Sequence, residues 1–462
     1  MRLIISKKAD VNYLAKVVQI DNFRKHSNPE VERLKCCTVD GFNIITGIDS
    51  EAGLYVYFPI MSKINPDFLR YANLYRHEDL NSEPGKKGMF EDNGRVKSIN
   101  LKGEKSEGFI LPFVVLQNWI VSVTNKDLTA ESGTEFDSVE DGDKSFWVCK
   151  KYIVRTHERN NPAGGYVRHK VKKELQDKVI PSQFRFHYDT LVLRKVPFYV
   201  QPEDTIHIST KIHGTSHISA NVLCRKEKLW WTPIYKWITE KIFKQVYNDT
   251  KYDNLYSSRT VIKNKFYNKG VSKGFYNEDI WKFADDIIRP KLPKGYTAYA
   301  EIVGFLPNGN YIQKGYDYGC TQPKASESYT HEKHFKVRIY RITITNPDGV
   351  VYELTPTEVH NWCELNGLVS VKELYLGKAK DLYGVPEDMN DWNNFFIDHL
   401  ANDKNFYMEE DSPDCKNKVP HEGIVIKVIG KNSSAVKLKC FRFLQKEERD
   451  LDKGVENIED NA

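Results

Sequence analysis

"TKIHGTSHIS" (210–219) follows directly on "DTIHIST" (204–210), whose alternation of apolar and polar residues reads as a strand. Lys211 is then either an ordinary surface lysine at a strand end or an amine that the strand presents as a nucleophile. Alone, KxHG is a weak signal, because three common residue types in four positions recur by chance. The elements that follow it carry more weight. "AYAEIVGF" (298–305) sets Glu301 inside an apolar strand, and "VRIYRI" (337–342) sets Tyr340 in another. "HEGIVIKV" (421–428) opens a strand with Glu422 beside a glycine, and "AVKLKC" (435–440) places Lys437 and Lys439 two apart, on one face of a strand. Each has a plain alternative: a strand carboxylate facing water, a core aromatic, a turn carboxylate, the solvated face of an edge strand. Five such accidents in one order are a poorer account than one shared site.

The bulk properties bound the setting. A chain of 462 residues exceeds one ordinary core, and about 100–200 residues per domain predicts two or three. With 40% hydrophobic residues, no apolar run of about 18 and no leader-like start, the chain is expected in solution inside a cell, with no membrane partner. Eight scattered cysteines (36, 37, 149, 224, 320, 363, 415, 440) form no CxxC or zinc-like cluster, so reduced thiols are expected and a structural metal is not. A net charge of +5 is too slight to announce a nucleic-acid binder by itself.

From Tyr13 to Phe113, short strand-like runs such as "LAKVVQI", "FNIITGI", "GLYVYFP" and "EGFILPF" predict a small barrel or sandwich. Among them "EDLNSEPGKKGMFEDNGRVK" (78–97) reads as a long mobile loop. A polar zone follows, acidic and then basic from Arg168 to Lys178, and the domain boundary is set near residue 175. In the second half, "TPIYKWITEKIFKQVY" (232–247) predicts an amphipathic helix with Thr232 as N-cap and Pro233 in the first turn. Its isoleucines four apart are expected to pack on the core, in preference to a nucleic-acid surface. "HFKVRIYRITITNPDGVVYEL" predicts two strands joined by a turn at Asn346–Gly349. "TPTEVHNWCELNGL" and "NDWNNFFIDHLAND" predict helices, and "EGIVIKVI" and "AVKLKCFRFL" neighbouring strands. The polar end of the chain (449–462) is read as a frayed tail.

The order KxHG, acidic strand, aromatic strand, EGIVIK and KLK resembles motifs I, III, IIIa, IV and V of the covalent nucleotidyltransferase superfamily of DNA ligases, RNA ligases and capping enzymes. Histidine at the third position of KxHG is similar to RNA ligases. "VYFPI", "FLRYANLYR", "KGMFEDNGRVKSINLKGEKSEGFILPF" and "FRFHYDTLVL" resemble the Deinococcus-type RNA ligases, and the likeness runs over most of residues 10–445. It implies an α+β protein: an N-terminal OB-like β-barrel with linker (1–175), an antiparallel-sheet nucleotidyltransferase domain (176–448), and an inserted helical segment near 356–410.

The resemblance implies ATP as AMP donor, Mg2+ or Mn2+, and three steps: lysyl-AMP formation, transfer of AMP to a 5'-phosphate, and attack by a 3'-hydroxyl. Lys211 would be the nucleophile, and Gly214 would let backbone approach the nucleotide. His213 would contact phosphate or assist the later steps, Glu301 would meet the ribose, and Tyr340 would stack on adenine. Glu422 is carried over as the metal carboxylate, with Glu301 beside it in the metal set. Lys437 and Lys439 would offset phosphate charge. They would also favour a neutral lysine amine, of which a free lysine has only about one part in a thousand near pH 7.4. Arg259 matches the basic residue between motifs I and III, with Lys263 as an alternative. Lys86, Lys87, Arg95 and Lys97 are expected backbone contacts to RNA or an RNA-containing duplex, and the protein is expected to be a monomer.

Two rivals share the superfamily, a capping guanylyltransferase and a DNA ligase. Both are disfavoured by the histidine of KxHG and by the 23 residues after Lys439, too few for a C-terminal OB domain. A rival of another class is a nucleic-acid-binding platform without catalysis.

Overall fold

The computed structural model describes residues 1–142, 144–153, 178–187, 190–226, 231–244, 246–263, 278–431 and 435–453. The expected boundary near 175, nearly all of the basic run 168–178 and the end of the chain from 454 lie outside the described residues.

The N-terminal strands Gly108–Pro112, Gly53–Pro59, Ala15–Ile20 and Glu135–Phe136 form one antiparallel sheet in that order, and Arg24–Lys25, Leu34–Val39 and Phe42–Gly47 form another. Strand alternation gives the larger sheet two buried faces. Val17, Val56 and Phe58 pack with Leu116, Trp119 and Ile120 of the helix Phe113–Thr124, while Val18, Tyr55 and Tyr57 pack with Cys37 and Ile44 of the smaller sheet. Burial on both sides explains why "GLYVYFP" reads as a continuous apolar run. Among the described residues the ladders stay in separate sheets and do not close into one barrel. The 78–97 stretch is knit rather than loose: the Asn81 side chain accepts from the Tyr75 N–H and donates to the carbonyls of Tyr75 and Lys86. A Cβ on Gly88 would lie 2.1 Å from the Leu74 carbonyl oxygen.

The second half is built on two mainly antiparallel sheets. One runs Ile262–Lys263, Thr250–Ser257, Thr215–Arg225, Tyr296–Gly304, Phe335–Thr345, Val351–Glu353. The other runs Leu191–Val192, Val436–Lys439, Gly423–Val428, Thr205–Thr210, Glu373–Lys378, with only its first pair parallel. The inserted segment is therefore not purely helical: between the helices Pro356–Leu365 and Trp392–Ala401 it supplies the edge strand that pairs with Thr205–Thr210. The first of these helices starts with a Thr355/Glu358 capping box, as its sequence "TPTE" allows.

Two other expectations are corrected. The strand of "AVKLKCFRFL" ends at Lys439, and Phe441–Asp452 is a helix. Its buried Phe443, Leu444 and Leu451 dock it, so the tail begins later than 449. The segment after Arg225 forms the short helix Thr232–Trp237, with Trp231 rather than Thr232 at its cap, and then a wider turn over Ile238–Ile242. It is not packed on the core, for Ile234 is 56% exposed and Ile242 60%. All eight cysteines are free thiols. No helix among the described residues is long and apolar enough to cross a membrane.

Candidate active site at the crossing between two sheets

Lys211 to Gly214 is the crossing from one sheet to the other. The chain leaves the five-stranded sheet at Thr210 and enters the six-stranded sheet at Thr215. The Lys211 N–H donates to the Gly423 carbonyl, tying the crossing to the strand that begins after Glu422. The Lys211 Nζ lies 2.6 Å from Glu422 Oε1, and the Glu422 side chain is 1% exposed. Lys439 reaches the same oxygen at 3.6 Å, because its strand runs antiparallel with Lys439 opposite Gly423. Lys439 also meets Glu447 at 3.5 Å. Two lysine amines thus share one buried carboxylate.

His213 is wedged between the rings of Tyr316 and Phe443, at centroid distances of 4.9 and 5.0 Å, with Nδ1 3.9 Å from Glu422 Oε2. The Tyr318 hydroxyl donates to the His213 carbonyl and the Gln313 amide to the Gly214 carbonyl. Gly214 has no room for a side chain: a Cβ there would sit 2.8 Å from the Ile302 carbonyl oxygen and 3.0 Å from Glu301 Oε2.

Glu301 stands opposite Ser216 in the ladder, and Arg338 faces it on its other side. Alternation sends its neighbours Ala300 and Ile302 into the core beneath the helix Ile280–Ile288 and leaves Glu301 on the opposite face. There it lines a cavity of about 130 Å³ with Lys211, Tyr340, Arg341, His187 and Lys427. Tyr340 is the extra residue where the register shifts, and burial, then the Glu301 charge, push its hydroxyl well above the ordinary range. Glu353 closes one wall, held by Lys427 at 2.5 Å and by Arg341 at 2.8 Å. His207, on the same wall, is pushed down to about 4 by burial and then by the Lys427 charge, so it is neutral near pH 7. His421, also buried, is pushed down to about 4 for the same first reason.

The structure therefore brings Lys211, Glu301 and Tyr340 to one cavity, with His213, Gly214, Glu422 and Lys439 packed around the crossing. Lys437, opposite Val425, and Lys439 both line a wider cleft of about 750 Å³, with Arg24 and Lys105 from the N-terminal region and Arg194 and Lys195. Arg259 lies in the bend after Ser257 and is not a wall of either space, nor is Lys263, whose amine sits 3.7 Å over the Trp281 ring. Lys86 and Lys87 are exposed. Arg95 is corrected as an RNA contact: its side chain is 0% exposed and pairs with Asp452 at 2.6 Å, with Lys97 on the other oxygen at 3.0 Å. Both hold the C-terminal helix to the N-terminal region, beside Glu448, which accepts from the Ser98 N–H and hydroxyl.

Sequence reasoning missed Gln313, Tyr316, Tyr318 and Phe443, which fix the His213–Gly214 backbone and ring. "NYIQKGYDYG" (310–319) holds three of them and shows no periodicity to flag it.

Neither protein-family models nor curated protein sequences give a match to this chain. Solved structures do. A Naegleria gruberi RNA ligase with PPi is 14% identical, with TM-score 0.50, and covers 95% of this chain and 100% of its own. A mutant of that ligase with ATP and Mn is 15% identical, with TM-score 0.52, over 94% and 99%. Another, with AMP and Mn, is 13% identical, with TM-score 0.51, over 94% and 99%. The likeness is one of fold. It spans nearly the whole of both chains, the N-terminal sheets included.

Proposed function

We propose that this protein is an ATP-dependent RNA ligase of the Deinococcus type that seals a 3'-hydroxyl to a 5'-phosphate, at breaks held in a duplex. The observation that carries the reading is Lys211, 2.6 Å from a carboxylate that a second lysine also reaches, on the wall of a cavity that holds Glu301 and Tyr340. The fold shared with the Naegleria ligase supports it, as do that ligase's complexes with ATP, AMP, PPi and Mn.

In this reading Tyr340 and the apolar wall take the adenine and Glu301 the ribose. The proton of Lys211 passes toward Glu422 Oε1, and Lys439 disfavours its return. The amine then bonds to the α-phosphorus of ATP as the bond to the β-phosphate oxygen breaks and pyrophosphate leaves. A 5'-phosphate oxygen displaces the lysine and takes the AMP. Finally a 3'-hydroxyl, losing its proton, attacks the phosphorus of that 5'-phosphate, forming the phosphodiester as the bond to the AMP oxygen breaks and AMP leaves. Lys437 and Lys439 line the wider cleft, and Lys439 also reaches the Glu422 oxygen that Lys211 meets, which places them to neutralise phosphate there.

No set of three or more His, Cys, Asp or Glu side chains among the described residues is arranged to hold a metal. Glu422 and Glu301 are hard oxygen donors, and one or two carboxylates completed by phosphate and water is the kind of site Mg2+ or Mn2+ takes. When bound, such an ion would supply charge stabilisation at the phosphates. The N-terminal region (1–175) is read as an OB-like nucleic-acid-binding domain, with Lys86 and Lys87 as backbone contacts, and 176–448 as the nucleotidyltransferase domain. Sealing of a nicked RNA duplex by the wild type with ATP and Mn2+, and none by Lys211→Ala, is the expected result. Equal sealing by both would overturn the assignment of the nucleophile, and absence of sealing or AMP transfer by a folded wild type would favour the binding platform.

A further inference from the structure

The segment between the strands Thr215–Arg225 and Thr250–Ser257 has no place in the site above. Residues 226–249 hold six aromatics (Trp230, Trp231, Tyr235, Trp237, Phe243, Tyr247) and five lysines against three acids. Aromatics at that density normally build a core. Here no residue of Thr232–Trp237 or Ile238–Ile242 is buried, and Trp237 is 58% and Phe243 65% exposed. Trp237 and Lys241 are four apart on neighbouring positions of the turn, and Lys244 follows just beyond it with a left-handed φ of 51°. Lys236 is matched by Glu240 at 3.8 Å, but among the described residues Lys241 and Lys244 have no carboxylate partner. The segment's place is set by a ladder: Arg225 pairs with Thr250, ten residues along the strand from Thr215 at the site crossing. At about 3.3 Å per residue that is about 33 Å.

Flat aromatic faces interleaved with unmatched lysines complement a polyanion whose bases can stack, which is how single strands are held without sequence preference. A lipid surface would engage the isoleucine side (Ile234, Ile238 and Ile242), whereas Trp237 stands beside Lys241 on the basic side, where a stacking base can reach it. Resting on the ligase reading, we propose that this segment is a second RNA contact. Lys241 and Lys244 meet phosphates, and Trp237 stacks on an unpaired base, of a substrate arm that passes the end of the strand Thr215–Arg225 remote from Lys211.

The test compares wild type with a Trp237→Ala/Lys241→Ala/Lys244→Ala variant, whose changes are all on exposed side chains. Affinity for a labelled 20-nucleotide single-stranded RNA is measured by fluorescence anisotropy across salt concentrations, and the ATP adduct by intact mass. The variant is expected to bind RNA about tenfold more weakly, with a log–log salt slope lower by about 1.4, the value for two phosphate contacts on a single strand. Its ATP adduct is expected to be unchanged. Unchanged RNA affinity and slope would overturn the proposal, and a loss seen only on anionic vesicles would assign the surface to lipid instead. If neither protein forms an adduct, the ligase reading falls, while the RNA comparison still decides what this segment does.

Discussion

Five residues, between Lys211 and His217, separate two buried polar clusters that have opposite surroundings. Lys211 meets Glu422 and Lys439 at the wall of a cavity. On the next strand the His217 ring lies 2.8 Å from the Ser219 hydroxyl, which donates to Asp285 at 2.8 Å, and all three residues are at most 1% exposed. Serine, histidine and aspartate are the residue types of a hydrolytic triad, but here the serine sits in the middle and the helix Ile280–Ile288 seals it from any ligand. Burial pushes His217 down to about 3 and Asp285 up to about 6. Composition cannot separate the two clusters. Strand parity can: residues 217 and 219 point under the helix, whereas Ser216 and Glu301 point to the face that carries the cavity. In the proposed reading the first cluster carries chemistry, while the second holds a strand in place.

The comparison is broken most directly at its chemical end. Under the proposed function, Lys211→Ala is expected to lower sealing by at least about 10³-fold, since Lys211 supplies the amine of the covalent route. Its melting temperature should stay within a few degrees of wild type. A large stability loss with residual sealing would put Lys211 in the structural class.

At the other end, Ser219→Ala strands His217 and Asp285 without their shared partner, at a cost of about 1–3 kcal/mol. The measurement is denaturant unfolding, with AMP incorporated per folded molecule expected to match wild type. A loss of AMP transfer at unchanged stability would contradict the division.

Asp285 sharpens the comparison through pH. Its folded value of about 6 lies above the unfolded carboxylate value, so its contribution is fully present below about pH 4 and is lost as pH rises through about 6. The loss is on the order of 3 kcal/mol. The stability of wild type relative to Asp285→Asn should therefore fall between pH 4 and 6, read from paired melts. A flat difference would mean that Asp285 is already ionised at the lower pH.

The smallest effect is expected at the N-terminal lysines. Lys86→Ala/Lys87→Ala should lower the salt slope of duplex binding by up to about 1.8 with stability unchanged. Arg95→Ala should do the reverse, loosening the contact with the C-terminal helix and leaving the slope alone.

How far the sequence could be read follows from the range of each signal. Local patterning was enough for the strands at 205–210, 298–304 and 423–428 and for the helix at 356–365. The proximity of Lys211 to Glu422 has no local signal, since the two lie beside strands more than 200 residues apart, and only the order of motifs suggested it. The helix Phe113–Thr124 was invisible because its Val-rich run favours a strand, and packing on the sheet overrides that preference. Arg95 was misread because its partner lies 357 residues away. The isoleucine stripe at 234–242 announced an apolar face correctly, but periodicity does not say what covers such a face.

Intact-protein mass spectrometry after incubation with Mn2+ and either ATP or GTP, with peptide mapping, tests the central claim most directly. An added AMP from ATP alone, located on Lys211 and absent from Lys211→Ala, is the predicted result. A GMP adduct, an adduct on another residue, or no adduct on a folded protein shown to be free of bound AMP at the outset would contradict it.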